Sequence, residues 1–351
     1  MPHSHLFFYL YFLMKKYCLL ISITFMLFSM NAFPQDANQL HENAKAFMLQ
    51  GDYTNAILIL TKAQQLSPKD IEITKDLALN YYFQKDDDNA LKTIKPILDR
   101  DDADDQCYQI AGNIYKGLDD PDDCEKLYKK AFKKFPDDGP LYNDYGELLW
   151  ERQDYSAIAQ WEKGIQVDPS YSRNYYNACK YYYLTADNVW CIIYAETFVA
   201  MEPLNPEGPE VKNILLESYK KLFSTNDLLK NNLDKSKFTT AFLETMNKQN
   251  DIVTSGITPE SLTMIRTRFV LDWFKDYANQ FPYRLFELQR QLLQSGMFDA
   301  YDQWLFGSVQ NLAAYQNWTN THTDEYNSFA HFQDGRTFRI PKGQYYKNVI
   351  N

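Results

Sequence analysis

Residues 37–70 read ANQLHENAKAFMLQGDYTNAILILTKAQQLSPKD, and two apolar rhythms run through them. Leu40, Ala44 and Phe47 fall on one helical face before Gly51, and Ala56, Leu60 and Ala63 do the same after it. Spacings of three and four residues mark amphipathic helices, so the stretch reads as two helices joined at Gly51-Asp52. Pro68 carries no amide hydrogen and stops the second helix. Small side chains at Ala44 and Ala56 let the two helices approach closely, while Phe47, Tyr53 and Leu60 are large enough to fill the space towards a neighbour. A hairpin of this kind cannot bury its apolar faces alone and predicts further copies stacked beside it.

The copies are present. Ala56, Ala90 and Cys124 recur every 34 residues, and Pro68, Pro136, Pro169 and Pro203 keep almost the same interval. With Ala37 as position 1, residues Ala44, Phe47, Gly51, Tyr53, Ala56, Leu60, Ala63 and Pro68 stand at positions 8, 11, 15, 17, 20, 24, 27 and 32. The second repeat, from Ile71, keeps Ala78, Tyr81, Ala90 and Ile94 but has Asp102 in the place of the proline. The third, from Asp105, keeps Gly112, Tyr115, Cys124, Tyr128, Ala131 and Pro136. The fourth keeps Gly146, Tyr155, Ala157, Trp161, Gly164 and Pro169 once one residue is taken as missing after Tyr155. In the fifth, from about Ser172, Cys179, Tyr182, Cys191 and Pro203 remain, while Phe198 replaces a small residue.

This pattern resembles the tetratricopeptide repeat. The resemblance implies an all-α fold, a right-handed solenoid of helical hairpins, with about five repeats over residues 35–206. Beyond Pro206 the rhythm fades, but helical periodicity continues in Val211 to Phe223, Lys237 to Met246 and Ser261 to Ala278. Residues 207–332 therefore read as a helical C-terminal extension. A degenerate hairpin at 281–307 is expected because Phe298, Ala300, Trp304 and Gly307 repeat the spacing of Tyr155, Ala157, Trp161 and Gly164. Its aromatic block resembles the C-terminal part of secreted bacterial tetratricopeptide proteins. Turn residues Asp334-Gly335 and Pro341-Lys342-Gly343 mark 333–351 as an extended tail.

The N-terminus carries a different signal. Lys15-Lys16 precede an apolar, uncharged run from Leu19 to Met30, which ends at Asn31-Ala32-Phe33-Pro34. A charged segment before a short apolar one is the pattern of a secretory signal peptide, here 1–34 with Met14 as the expected start. The alternative is an uncleaved membrane anchor. Export predicts a periplasmic or secreted protein of a bacterial envelope.

The chain carries a formal charge of −10, with 46 acidic and 36 basic residues. All the excess acid lies in the repeats: residues 35–205 hold 30 acidic and 18 basic side chains, whereas 206–351 hold 16 of each. A polyanionic surface repels phosphate, which argues against nucleic acid as partner. Fourteen aspartates cluster between Asp86 and Asp138, but none of the groups has the central glycine and terminal glutamate of a helix-loop-helix calcium site. They read as helix caps on a solvated rim.

No nucleophile elbow, phosphate loop or zinc motif is present, so no catalytic residue, metal or cofactor is expected. His322 and His331 with nearby acids offer the only histidine pair that an enzymatic reading could use. The resemblance instead implies binding of a protein or peptide partner on the concave face, which the first helices of the hairpins line. There the register places Tyr82, Phe83, Asn113, Trp150, Tyr176, Lys180 and Tyr183. Aromatic side chains in such a groove supply the large rigid contacts typical of binding hot spots. The chaperone-binding members clamp a peptide carboxylate with Lys and Asn at positions 5 and 9 of the first repeat, where this chain has His41 and Lys45. Cys179 and Cys191, at the close-contact positions of the fifth repeat, form either a cross-hairpin disulfide or two small core fillers. A competing expectation is self-assembly, with the aromatic C-terminal region of one copy packed on another as a homo-oligomer.

Overall fold

The computed structural model describes residues 36–230, 232 and 234–347, which form helices without strands among those residues. The signal segment read over 1–34 lies outside them. Two compact units are present, one ending at Ala103 and the other starting at Asp104, so the division falls between the second and third hairpins.

In the first unit, α1 (Ala37–Leu49) pairs with α2 (Tyr53–Leu66), and α3 (Ile71–Phe83) with α4 (Asp87–Ile94). Ala44, Ala56, Leu60, Ala63, Ile73 and Leu77 form its core, with Phe47 and Tyr81 packed against it. His41 is buried, with its ring Nε2 2.6 Å from Asp76 Oδ2, which ties α1 to α3. Helix α4 has only 8 residues because Pro96 cuts it short, and a 3₁₀ turn over Lys95–Ile97 follows. The stop that the second repeat lacks at Asp102 is thus supplied six residues earlier.

The second unit begins with three more hairpins. These are α5 (Asp105–Gly117) with α6 (Pro121–Lys134), α7 (Gly139–Glu151) with α8 (Ala157–Val167), and α9 (Ser172–Thr185) with α10 (Asn188–Met201). Helix α11 (Gly208–Leu222) packs on α10 as the next first helix would. The C-terminal helices are α12 (Lys237–Asn247), α13 (Pro259–Asp276), α14 (Arg284–Gln294), α15 (Phe298–Asp302), a π turn (Gln303–Gly307), α16 (Ser308–Gln310), α17 (Leu312–Thr321) and α18 (Thr323–Gln333). Their core is aromatic: Phe238, Phe242, Phe269, Trp273 and Phe286 are linked by successive ring contacts of about 5 to 6 Å, centre to centre.

The aspartates have structural work. Asp36, Asp52, Asp70 and Asp86 cap the four helices of the first unit, and Asp104, Asp120, Asp138 and Asp187 cap α5, α6, α7 and α10. Each accepts a backbone N–H that the first helical turn leaves unpaired, a contribution of about 1 kcal/mol per cap.

After Gln333 the chain forms neither helix nor strand up to Lys347, yet Phe338, Ile340 and Lys347 are buried. The tail is a packed strap, a property its turn residues did not signal.

Candidate functional site

Hairpin stacking in the second unit sets first helices α7 and α9 side by side, and a cleft of about 240 Å³ opens between them. Its lining is Glu147, Trp150 and Glu151 from α7, Trp161 from α8, and Asn177, Lys180, Tyr181 and Leu184 from α9. Trp150 forms the centre, its ring 5.9 Å from Trp161 and 6.0 Å from Tyr181, with Tyr155 at 5.8 Å on the outer side. Leu184 is 67% exposed at the rim.

A polar ladder runs along one wall. Asn177 donates to Asn143 Oδ1 at 2.8 Å and to Glu147 Oε1 at 3.2 Å, and Asn143 donates to the same glutamate oxygen at 3.1 Å. Lys116 stands 3.9 Å from the other oxygen. Asp144, one turn before Leu148, is pushed up to about 6 by burial, which the Lys116 charge only partly offsets. These contacts fix the side chains around the cleft before any ligand arrives.

The residues read from the sequence divide into groups. Trp150 and Lys180 line the cleft. Tyr183 is half-buried, with Lys221 Nζ 3.6 Å from its ring centre, and Asn113 is half-buried on α5. Tyr82 and Phe83 belong to the first unit, where Phe83 is 45% exposed and stacks on Tyr53 at 5.1 Å. Tyr176 lies against α11 and away from the cleft lining. It is buried, capped by the Arg173 guanidinium at 4.4 Å, and its hydroxyl donates to Glu210 of α11 at 3.0 Å while accepting from Lys180 at 3.1 Å. Lys180 itself is ion-paired with Glu210 at 3.0 Å. Helix α11 therefore occupies the place where Tyr176 was expected to meet a partner.

Of the two readings of Cys179 and Cys191, the structure has the core-filler one. Cys179 and Cys191 are buried free thiols. Cys179 Sγ donates to the Tyr176 carbonyl at 3.1 Å, and Cys191 lies 3.3 Å from the Cys179 carbonyl and 3.0 Å from Ser218 Oγ. Each sulfur is aimed at an oxygen, and burial pushes both thiols up, Cys191 to about 12, which leaves them inert.

Sequence reasoning missed Tyr181, Leu184, Trp161 and Asn177. A signal existed for Leu184, which holds position 13 of its repeat, as Leu49 and Phe83 do in the first two. All three are exposed apolar side chains at the ends of first helices. Of the histidines weighed for catalysis, His322 stacks on Trp318 at 4.4 Å and His331 is exposed. Among the described residues, no three His, Cys, Asp or Glu side chains come together as a metal site. No helix among them is long and apolar enough to cross a membrane.

Residues 47–114 match the family model of the tetratricopeptide repeat. The bovine BBSome complex member BBS4 is 32% identical over 147 residues, a segment that is 41% of this chain and 28% of that protein. The chain thus spans little more than a quarter of the length of this curated relative. Among solved structures, a tetratricopeptide repeat protein from Parabacteroides merdae is 14% identical with a TM-score of 0.41, over 74% of this chain and 99% of that one. A thermophilic repeat protein from Thermus thermophilus is likewise 14% identical with a TM-score of 0.41, over 53% and 98%. The paired helices α1 to α4, with their 34-residue spacing, and the family match from 47 to 114 show tetratricopeptide repeats in this part of the chain.

Proposed function

We propose that the chain is an interaction scaffold that receives an apolar or aromatic segment of a partner protein in the cleft between α7 and α9. The observation that carries this reading is the half-exposed Trp150, held among Trp161, Tyr181 and the exposed Leu184 in a recess with a fixed polar wall. A rigid aromatic anchor in a recess, with hydrogen-bonding groups at its edge, is the composition of a binding hot spot. Asn177 and Glu147 supply the orienting polar contacts, and Lys180, ion-paired with Glu210, is part of the lining.

Export to a periplasmic or extracellular compartment is part of the proposal and rests on the Lys15-Lys16 and Leu19 to Met30 pattern. The name of the bovine relative, a member of a multisubunit complex, is consistent with a scaffold role. Catalysis is not part of the proposal, since repeats of this kind act as binding surfaces.

The test is site-specific photocrosslinking. A benzophenone amino acid at Leu184 should give adducts with a discrete partner segment, and Trp150→Ala should reduce them at least tenfold. The same probe at Leu204, which is 95% exposed and outside the cleft, should give none. Equal labelling from both positions, or adducts indifferent to Trp150→Ala, would remove the cleft as the binding site.

A further inference from the structure

The last described residues of the chain are seated in an acidic aromatic cage. Lys347, whose side chain is 4% exposed, sets Nζ 2.8 Å from Asp187 Oδ2 and 3.7 Å from Asp234 Oδ2. The ammonium lies 4.7 Å from the ring centre of Tyr182 and 5.4 Å from that of Trp190, within the range of cation–π attraction. Beside it, Tyr346 stacks on Phe238 at 4.8 Å and donates its hydroxyl to the Pro282 carbonyl at 2.8 Å. Gln344 accepts the Arg284 amide at 2.6 Å.

The walls of this seat are held by other elements. Asp234 accepts the Trp190 indole at 2.6 Å, the Ser236 amide at 2.8 Å and the Thr239 hydroxyl at 2.9 Å. Asp187 caps α10, and Tyr182 and Tyr194 both donate to buried Glu162, at 2.6 and 2.8 Å. The strap adds the cation, and two buried carboxylates without one are costly. A seat left by Lys347 therefore favours refilling by an equivalent ammonium.

The strap is also irregular. Nothing from 334 to 347 is helix or strand, and Gly335 and Gly343 take φ of 65° and 90°, turns that glycine makes without steric cost. An irregular segment between such turns is the kind of element that identical chains exchange at low cost.

We propose that the cage of Asp187, Asp234, Tyr182, Trp190 and Phe238 is a recognition site for a Tyr-Tyr-Lys segment, and that its occupant in trans is the strap of a second copy of this chain. A second copy carries the complementary aromatic and ammonium groups in the right order by identity. Reciprocal insertion closes a two-fold dimer and leaves no seat empty. The site is separate from the Trp150 cleft, so either can fail without the other.

The experiment uses the whole chain with a weakened strap, Lys347→Met, and a fluorescent peptide of residues 338–347. The variant should bind the peptide saturably, a peptide carrying Lys347→Met should bind at least tenfold more weakly, and the parent chain should bind little. Donor- and acceptor-labelled copies of the parent should show energy transfer that rises with concentration and is lost in Lys347→Met. If Lys347→Met lowers the helical circular dichroism, Tyr346→Ala serves as the weakened strap, because it leaves the buried cation in place. No saturable binding by a fully helical variant would overturn the recognition site. Peptide binding without energy transfer at any concentration would overturn the second copy as occupant.

Discussion

Arg266 on α13 grips Glu196 on α10 in an ion pair whose side chains are each 1% exposed. The other guanidinium nitrogen is bound by Asp302, at the end of α15, while Tyr301 and Gln289 donate to Glu196 at 2.8 Å each. Three C-terminal elements, α13, α14 and α15, up to about a hundred residues away in sequence, are thereby locked to the fifth hairpin, so they share its core. Removing one member of a buried charge network leaves the others uncompensated. Arg266→Ala should lower the unfolding free energy by about 3–5 kcal/mol, read by urea denaturation. Changing the whole network together, Arg266→Met, Glu196→Leu, Asp302→Leu, Tyr301→Phe and Gln289→Leu, should recover most of that loss, since well-packed apolar groups replace buried ion pairs with little penalty when no buried donor is left unpaired. A loss under about 1 kcal/mol for Arg266→Ala would show that water or a rearranged partner takes the place of the guanidinium.

Position 8 of the third and fourth repeats admits no side chain. A β-carbon at Gly112 would stand 2.2 Å from the Tyr128 hydroxyl, and one at Gly146 would stand 2.3 Å from Trp161 Nε1. Gly112→Ala and Gly146→Ala should each cost about 1–3 kcal/mol through overpacking, despite the better helix propensity of alanine. Tyr128→Phe removes the nearest atom that Gly112→Ala would strike but leaves the ring Cζ, at 2.7 Å, in the way, so the double variant should recover only part of the loss in thermal denaturation.

The hairpins were legible because each repeat writes its packing in local terms: small residues at 8 and 20, large ones between, and a proline stop. What was not legible depended on pairing between distant residues. Tyr176 was read as an open anchor because its partner Glu210 lies on α11, past the point where the rhythm fades. Lys347 and Asp187 are 160 residues apart, and no periodicity connects a turn-rich tail to a helix cap. The groove reading found Trp150 and Lys180 from register, but Tyr181 and Asn177 lie between the expected groove positions and enter the cleft only through the way α7 and α9 stack. Pro96 could have been weighed as an internal stop, since no helix continues through it without losing a hydrogen bond.

Position 15 has a conformational requirement that only one repeat meets with glycine. Gly51 has φ of 72°, and its equivalents Lys85, Asp119, Gln153 and Ala186 have φ of 64°, 54°, 59° and 60°. A left-handed residue ends the first helix of every hairpin, and a β-carbon there costs about 1–2 kcal/mol. Ala186 has no side-chain polar group to compensate. Ala186→Gly should therefore stabilise the chain by about 0.5 kcal/mol, after the larger unfolded-state entropy of glycine is subtracted. A lowered melting temperature for Ala186→Gly would count against relief of strain at this turn.

Asp144 makes stability depend on pH in a definite direction. Burial raises its carboxyl to about 6 from an ordinary value of 3.8; Lys116 and the Asn143 amide favour the ionised form, while Glu147 and Asp138 oppose it. Between about pH 4 and pH 6 the folded chain keeps a proton that the unfolded chain has released, so this group's contribution to stability falls as pH rises through that window and levels off above it. The cost of ionising it in place is on the order of 3 kcal/mol at neutral pH. Asp144→Asn keeps the shape and removes the charge. It should raise stability at pH 7 by up to that amount, have little effect at pH 4, and flatten the slope of unfolding free energy between them. Urea denaturation of the parent and Asp144→Asn at pH 4, 5, 6 and 7 measures the difference directly, and parallel slopes across the window would mean that Lys116 and Asn143 hold the carboxylate charged.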